Sequence, residues 1–264
     1  MIKLLGIPFD ANSSFLKGCA LAPPRIRLMD KDGSANRFAE NGLEIVEGEN
    51  YLDLGDISFE DSNSQKAFNL IRENVAKNLD EKLIFFGGDH SVTYPIIDAY
   101  SEKYDGLNIL HFDAHPDLYD DFEGNPFSHA SPFARIMEQG KVNSLTQVGI
   151  RTFSTHQRQQ TEKFGVKVIE MRNFNFDFVA ELQSPLYISL DLDALDPAFA
   201  PGISHHEPGG LSTRELLKVI QKIDVNVVGA DILEYNPVRD LNNMTAMVAY
   251  KLFKEISDKM IEFG

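Results

Sequence analysis

Cysteine is almost absent from this 264-residue chain: Cys19 stands alone, so no intrachain disulfide can form. Stability must come from a buried core, which a chain of this length is large enough to build. A solitary thiol also fits a reducing compartment. No apolar run approaches the ~20 residues that cross a bilayer. The opening stretch Met1–Asp10 is apolar but is broken by Gly6 and Pro8 and closed by Asp10. It reads as a first strand, not as the core of a signal peptide, and a cytoplasmic location is the expectation. Basic residues are scarce: 25 Lys and Arg against 40 Asp and Glu, a net charge of −15. Such a surface repels nucleic-acid backbones and anionic membranes. It suits solubility, and equally the attraction of metal ions and cationic small molecules. Repeats, low-complexity tracts and Pro/Gly/Ser-rich linkers are missing, so residues 1–264 read as a single domain.

What is present is an alternation of short apolar runs with amphipathic stretches. Strands are expected at Lys3–Ile7, Tyr51–Leu54, Lys82–Phe86, Leu107–Phe112, Ser144–Gly149, Val166–Glu170, Pro185–Leu190 and Val225–Ile232. Helices are expected at Pro24–Met29, Ser64–Leu79, Thr93–Tyr104, Ser131–Gln139, His156–Phe164, Thr213–Ile223 and Asn242–Glu262. Runs such as Leu83-Ile84-Phe85-Phe86 have no polar alternation, as in strands buried on both faces. Parallel strands need helical crossovers, so the pattern predicts an α/β fold, a three-layer α/β/α sandwich with a mostly parallel sheet. Ligands of such sheets bind beyond the carboxyl ends of the strands.

Four strand ends carry unusual polar chemistry. They are Gly87-Gly88-Asp89-His90-Ser91, Asp113-Ala114-His115-Pro116-Asp117, Asp191-Leu192-Asp193-Ala194-Leu195-Asp196-Pro197 and Leu233-Glu234-Tyr235-Asn236-Pro237. In extended chain, Asp113, His115 and Asp117 point to one side, as do Asp191 and Asp193. Facing carboxylates repel unless a proton or a cation lies between them. With His90 and His115 they make two imidazoles and four carboxylates. That set is too oxygen-rich for a structural zinc site and suits a hard or borderline divalent ion such as manganese. Six ligands suffice for two ions ~3.5–4 Å apart. His111 lies inside an apolar run and is expected to support the site from the core. Asp89 is expected to be a partner of His90. A lone Asp-x-Asp is more often a turn, and Gly-Gly-Asp-His a tight bend; the coincidence of all three carries the reading.

These residues resemble the ureohydrolase family, which includes arginases and agmatinases. The three aspartate- and histidine-rich segments match its metal-binding signatures in order. Asn12-Ser13-Ser14-Phe15, Ala22-Pro23-Pro24-Arg25-Ile26-Arg27, Phe122-Glu123-Gly124-Asn125, Ser128-His129-Ala130-Ser131 and Pro201–Gly210 resemble plant-type arginases. The resemblance implies an arginase-like sheet of about eight strands and two Mn2+ per chain. Their ligands would be His90, Asp113, His115, Asp117, Asp191 and Asp193. It also implies hydrolysis of a small cationic guanidino substrate with release of urea, and a homo-oligomer, trimer or hexamer. Glu234 would orient the guanidinium, His129 would shuttle a proton, and Asp193 would steady the reacting centre as well as bind metal. His205 and His206 are expected to pack the loop or line its rim.

For the substrate, two features compete. The plant-type match favours L-arginine, whose carboxylate could meet Asn125, Ser128 or Arg151. Tyr119, and the acidic loop of Asp120, Asp121 and Glu123, favour agmatine. Arginine is the expected substrate; agmatine or another guanidino acid is the alternative. A non-catalytic metal-binding paralogue and a metal-dependent deacetylase are readings from other classes. The first usually lacks a ligand that is kept here. The second typically needs one metal and a histidine pair, whereas Asp191 with Asp193 favours two ions.

Overall fold

The computed structural model describes residues 1–60 and 63–263. Eight strands form one sheet: β1 (Ile2–Ile7), β2 (Tyr51–Asp56), β3 (Lys82–Gly87), β4 (Leu107–Phe112), β5 (Val142–Ile150), β6 (Lys167–Glu170), β7 (Leu186–Asp191) and β8 (Val227–Leu233). Their order is β2-β1-β3-β8-β7-β4-β5-β6, and every pairing is parallel. Among the described residues seven α-helices accompany them: α1 (Ala22–Lys31), α2 (Ser64–Asn78), α3 (Thr93–Lys103), α4 (Pro132–Gln139), α5 (Thr155–Phe164), α6 (Thr213–Lys222) and α7 (Met244–Glu262). Each expected strand and helix forms, with ends shifted by a few residues at most.

The three-layer reading follows from where successive side chains go. In β3, Ile84 and Phe86 enter one core with residues of α1, α6 and α7, while Leu83 and Phe85 enter the other with residues of α2, α3 and α4. Period-two alternation of an all-apolar strand thus feeds two cores at once. Local chemistry fixes the helix ends. Ser212 with Glu215 and Ser154 with Gln157 form capping boxes, and Gly140 and Gly165 close α4 and α5 in the left-handed conformation.

The strand order positions the site. From β3 the chain jumps to β4, builds outward through β5 and β6, then returns to insert β7 and β8 between β4 and β3. Strands β3, β8, β7 and β4 are therefore contiguous, and these are the four whose ends carry the polar segments.

Candidate metal centre and active site

His90 opens a single 3-10 turn immediately after β3, where Asp89 caps the turn by accepting from the Ser91 amide. The bend needs Gly88: a side chain there would run into the Phe9 carbonyl, which the Asp89 amide bonds instead. The His90 ring is fully buried, and its Nδ1 lies 3.2 Å from Asp113 Oδ2, 3.1 Å from Asp117 Oδ2 and 3.3 Å from Asp191 Oδ2. None of these is a hydrogen bond by geometry, so Nδ1 is an orphaned buried nitrogen. His115 Nδ1 lies 3.3 Å from Asp113 Oδ1 and 3.0 Å from Asp193 Oδ2. Asp113 thus turns one oxygen towards each imidazole.

The tautomer of His90 is set from behind. Ser189 Oγ donates to Asp231 Oδ1 at 2.8 Å, so its lone pair must accept from His90 Nε2 at 3.1 Å. Asp231 is buried and also accepts from Thr93, Tyr187 and the Leu190 amide. With Nε2 carrying the proton, neutral His90 aims a lone pair at three carboxylates. Such an arrangement calls for a cation between them. Burial opposes charge on the ring, but the three carboxylates outweigh it and hold His90 well above its usual range.

The carboxylates respond in the same way. Burial and the charge of Asp113 push Asp117 up to about 7. Burial and the charges of Asp193 and Asp113 push Asp191 well up, and burial and Asp113 raise Asp193. Asp113 goes the other way: burial opposes ionisation, but the His111, His115 and His90 rings around it hold it well below the usual range. Buried acids and histidines gathered around an orphaned imidazole nitrogen are a cluster able to bind metal. His111 supports the cluster from the core. Gln147 Nε2 donates to its Nδ1 at 3.0 Å, leaving Nε2 to donate to Asp113 Oδ2 at 2.9 Å. Burial lowers His111 to about 4, so it stays neutral.

Glu234 follows β8 with φ of 60°, and Asp117 has φ of 50°. Non-glycine residues in the left-handed region cost of order 1 kcal/mol and cluster at working sites. Backbone bonds to neighbouring segments hold both: the Glu234 amide donates to Gly88 O, just past β3, at 3.0 Å, and Asp117 O accepts from the Phe133 amide of α4 at 3.2 Å. Glu234 Oε1 accepts from the His90 amide at 2.9 Å and pairs with His129 Nδ1 at 2.8 Å, while Cys19 donates to Oε2 at 3.3 Å. Burial opposes charge on both partners, but their mutual attraction wins: His129 rises to about 9 and Glu234 falls to about 2.

A cavity of about 430 Å³ opens over these groups, lined by His115, Asp117, His129, Asp191, Asp193 and Glu234 among others. Tyr119 lines it too, stacked on His156 with ring centroids 5.7 Å apart. Asn125 and Ser128 do not. The Asn125 side chain accepts from the Phe127 amide, and buried Ser128 accepts from the Ala130 amide, so both shape the turn that carries His129. Arg151 likewise does not line the cavity. Its guanidinium donates to the carbonyls of Gly149, Asp193, Ala194, Leu195 and Glu207 and ties loops together. Asp89 holds Asn12, Ser13 and Ser91 instead of the His90 ring. His205 reaches the cavity wall, its ring 5.5 Å from that of His129, whereas His206 bonds Pro201 O on the exposed side.

Sequence reasoning missed Asp231, Cys19, Ser14 and Glu207. Asp231 had a signal, a lone acid within an apolar strand. Ser14 and Glu207 lie in loops and Cys19 in a short 3-10 turn, and only the fold reveals their approach to the site.

An all-parallel sheet with an imidazole–carboxylate cluster at the ends of its four central strands defines the class, an α/β protein with a metal-type site. More specifically, the chain belongs to the arginase family, whose model matches residues 1–257. It is 47% identical over 275 residues to the mitochondrial arginase 1 of Arabidopsis thaliana, covering 98% of this chain and 80% of that one. It is 33% identical to an agmatinase of Bacillus cereus, covering 97% and 90%. The solved arginase of Medicago truncatula superposes with a TM-score of 0.92 at 44% identity, covering 98% of this chain and 87% of that one.

The expected cytoplasmic location is overturned by these relatives: the Arabidopsis and rice arginases are named as mitochondrial. A lone thiol and a broken apolar start do not separate the cytosol from an organelle interior, so neither sequence feature could have settled the compartment.

Proposed function

We propose that this chain is a manganese-dependent arginase that hydrolyses L-arginine to L-ornithine and urea, working as one domain over residues 1–264 and as a homo-oligomer. The observation that carries the reading is Asp113, whose two oxygens serve His90 and His115 separately. That pattern suits one ion held by His90, Asp113, Asp117 and Asp191, and a second completed by His115 and Asp193. Bound there, two Mn2+ would lower the pKa of bound water towards ~7 and polarise the guanidinium.

The chain's own residues do the rest. Glu234 is ionised and lies at the cavity, where its carboxylate binds and orients a planar cation by charge-assisted hydrogen bonds. His129 is protonated beside it and holds the proton that the departing amine requires. Asp193, fixed by the Ala114 amide at 2.9 Å, orients the reacting carbon as well as its ion.

Arginine is favoured over agmatine by the higher identity to a plant arginase than to an agmatinase. Agmatine is the second reading. Tyr119 and Glu207 line the cavity, and no Lys or Arg does so among the described residues, which suits a substrate without a carboxylate. Urea release from each compound by the manganese-loaded protein is the test. Turnover of arginine is expected; turnover of agmatine alone would overturn the assignment.

A further inference from the structure

The segment Asn12-Ser13-Ser14-Phe15 is not used by the chemistry above, yet it touches His129 at both its backbone and its ring. The His129 amide donates to Asn12 O at 3.2 Å. The Phe15 ring lies 5.2 Å from that of His205, which in turn packs against His129. Ser14 Oγ lies 2.8 Å from His129 Nε2 and lines the cavity. The segment is held firmly for a loop. Buried Asp89 accepts from the Asn12 amide at 3.0 Å, and Asn12 Nδ2 donates to Ser91 Oγ at 3.0 Å.

This leaves His129 with both ring nitrogens engaged. Nδ1 faces Glu234, so the proton available for transfer is the one on Nε2, and Ser14 Oγ stands in its path. Ser14 has no other hydrogen-bond partner among the described residues, so its own hydroxyl proton is free to point into the cavity.

We propose that Ser14 is a catalytic residue, the last link through which the His129 proton reaches the leaving amine. As the C–N bond breaks, its electron pair goes to the amine nitrogen, which takes the Ser14 hydroxyl proton. Ser14 Oγ simultaneously takes the Nε2 proton of the imidazolium. The products are a neutral amine, a neutral imidazole and an intact serine. The new hydroxyl proton then points back at Nε2, so the same 2.8 Å contact serves both states.

The proposal rests on the ureohydrolase reading, and its test separates the two. Single-turnover urea release is measured with manganese-loaded wild type, Ser14→Ala and Ser14→Thr, in mixtures of H2O and D2O. General acid transfer is worth ~10²–10⁴-fold, and water replaces a relay in part, so Ser14→Ala is expected to be slower by roughly 10- to 100-fold. Metal content and KM stay unchanged. Wild type should show a curved dependence of rate on D2O fraction, from two protons in motion, and Ser14→Ala a straight one. Ser14→Thr keeps the hydroxyl and should restore both rate and curvature. Ser14→Ala with the wild-type rate, or Ser14→Thr as slow as Ser14→Ala, overturns the relay while an active wild type leaves the hydrolase reading intact. A wild type that releases no urea from arginine or agmatine overturns both.

Discussion

Replacing Ser189 by alanine tests how the site is preorganised. The Ser189 hydroxyl is buried between His90 Nε2 at 3.1 Å and Asp231 Oδ1 at 2.8 Å and joins the two side chains. Without it the Nε2 proton loses its acceptor, and the ring loses what holds Nδ1 aimed at Asp113, Asp117 and Asp191. Partners of this kind are worth ~10–100-fold in metal affinity. That corresponds to about 1.4–2.7 kcal/mol. Calorimetric titration of Mn2+ into the metal-free protein at fixed pH measures it directly, and metal-free Tm controls for general damage. Asp231→Asn should produce a loss of similar size. Because both residues act along one path, the double variant should be little worse than the worse single one. Unchanged affinity in Ser189→Ala, or losses that simply add, would refute the relay.

The His129–Glu234 pair gives a signed pH dependence. His129 is raised from 6.5 to about 9, so its stabilisation is complete below 6.5 and lost as pH climbs through 9. Glu234 is lowered from 4.5 to about 2, so its share is complete above 4.5 and lost as pH falls through 2. The metal-free Tm of wild type should therefore exceed that of His129→Gln/Glu234→Gln most between pH 4.5 and 6.5, and the gap should narrow towards pH 9. A gap that is flat over this alkaline range would contradict the pairing. Arg151→Met removes donors from five carbonyls around the Asp193 loop. A loss of about 2 kcal/mol, and a Tm lower by roughly 5 °C, is expected. Calorimetry on the metal-loaded protein checks it, and an unchanged Tm would show that those contacts are idle.

Much of the fold was legible because local chemistry and global packing agree. The unbroken apolar runs at Leu83–Phe86 and Leu107–Phe112 are strands buried on both faces, and no competing helical period confuses them. The cluster was legible because strands end abruptly in acids and histidines, and chain ends of parallel strands share one side of a sheet. Strand order was not legible. The insertion of β7 and β8 between β3 and β4 depends on non-local pairing that no local pattern encodes. Loop side chains were not legible either. Asn125 and Ser128 have the right chemistry for a carboxylate, but short-range bonds to Phe127 and Ala130 turn them away from the cavity. Arg151 was misread for a related reason: a long cation near a site serves carbonyls as readily as substrates. Asp89 lies next to His90 in sequence, yet the bend at Gly88 sends its carboxylate to the Asn12 segment.

The central claim is that six side chains from three strand ends grip two divalent cations. Metal analysis of the fully active, manganese-loaded protein after exhaustive dialysis is its most direct test. Two Mn2+ per chain are predicted, falling to about one in Asp193→Ala together with His115→Ala, the residues proposed to complete only the second site. Full activity with one ion per chain, or with none, would contradict the account.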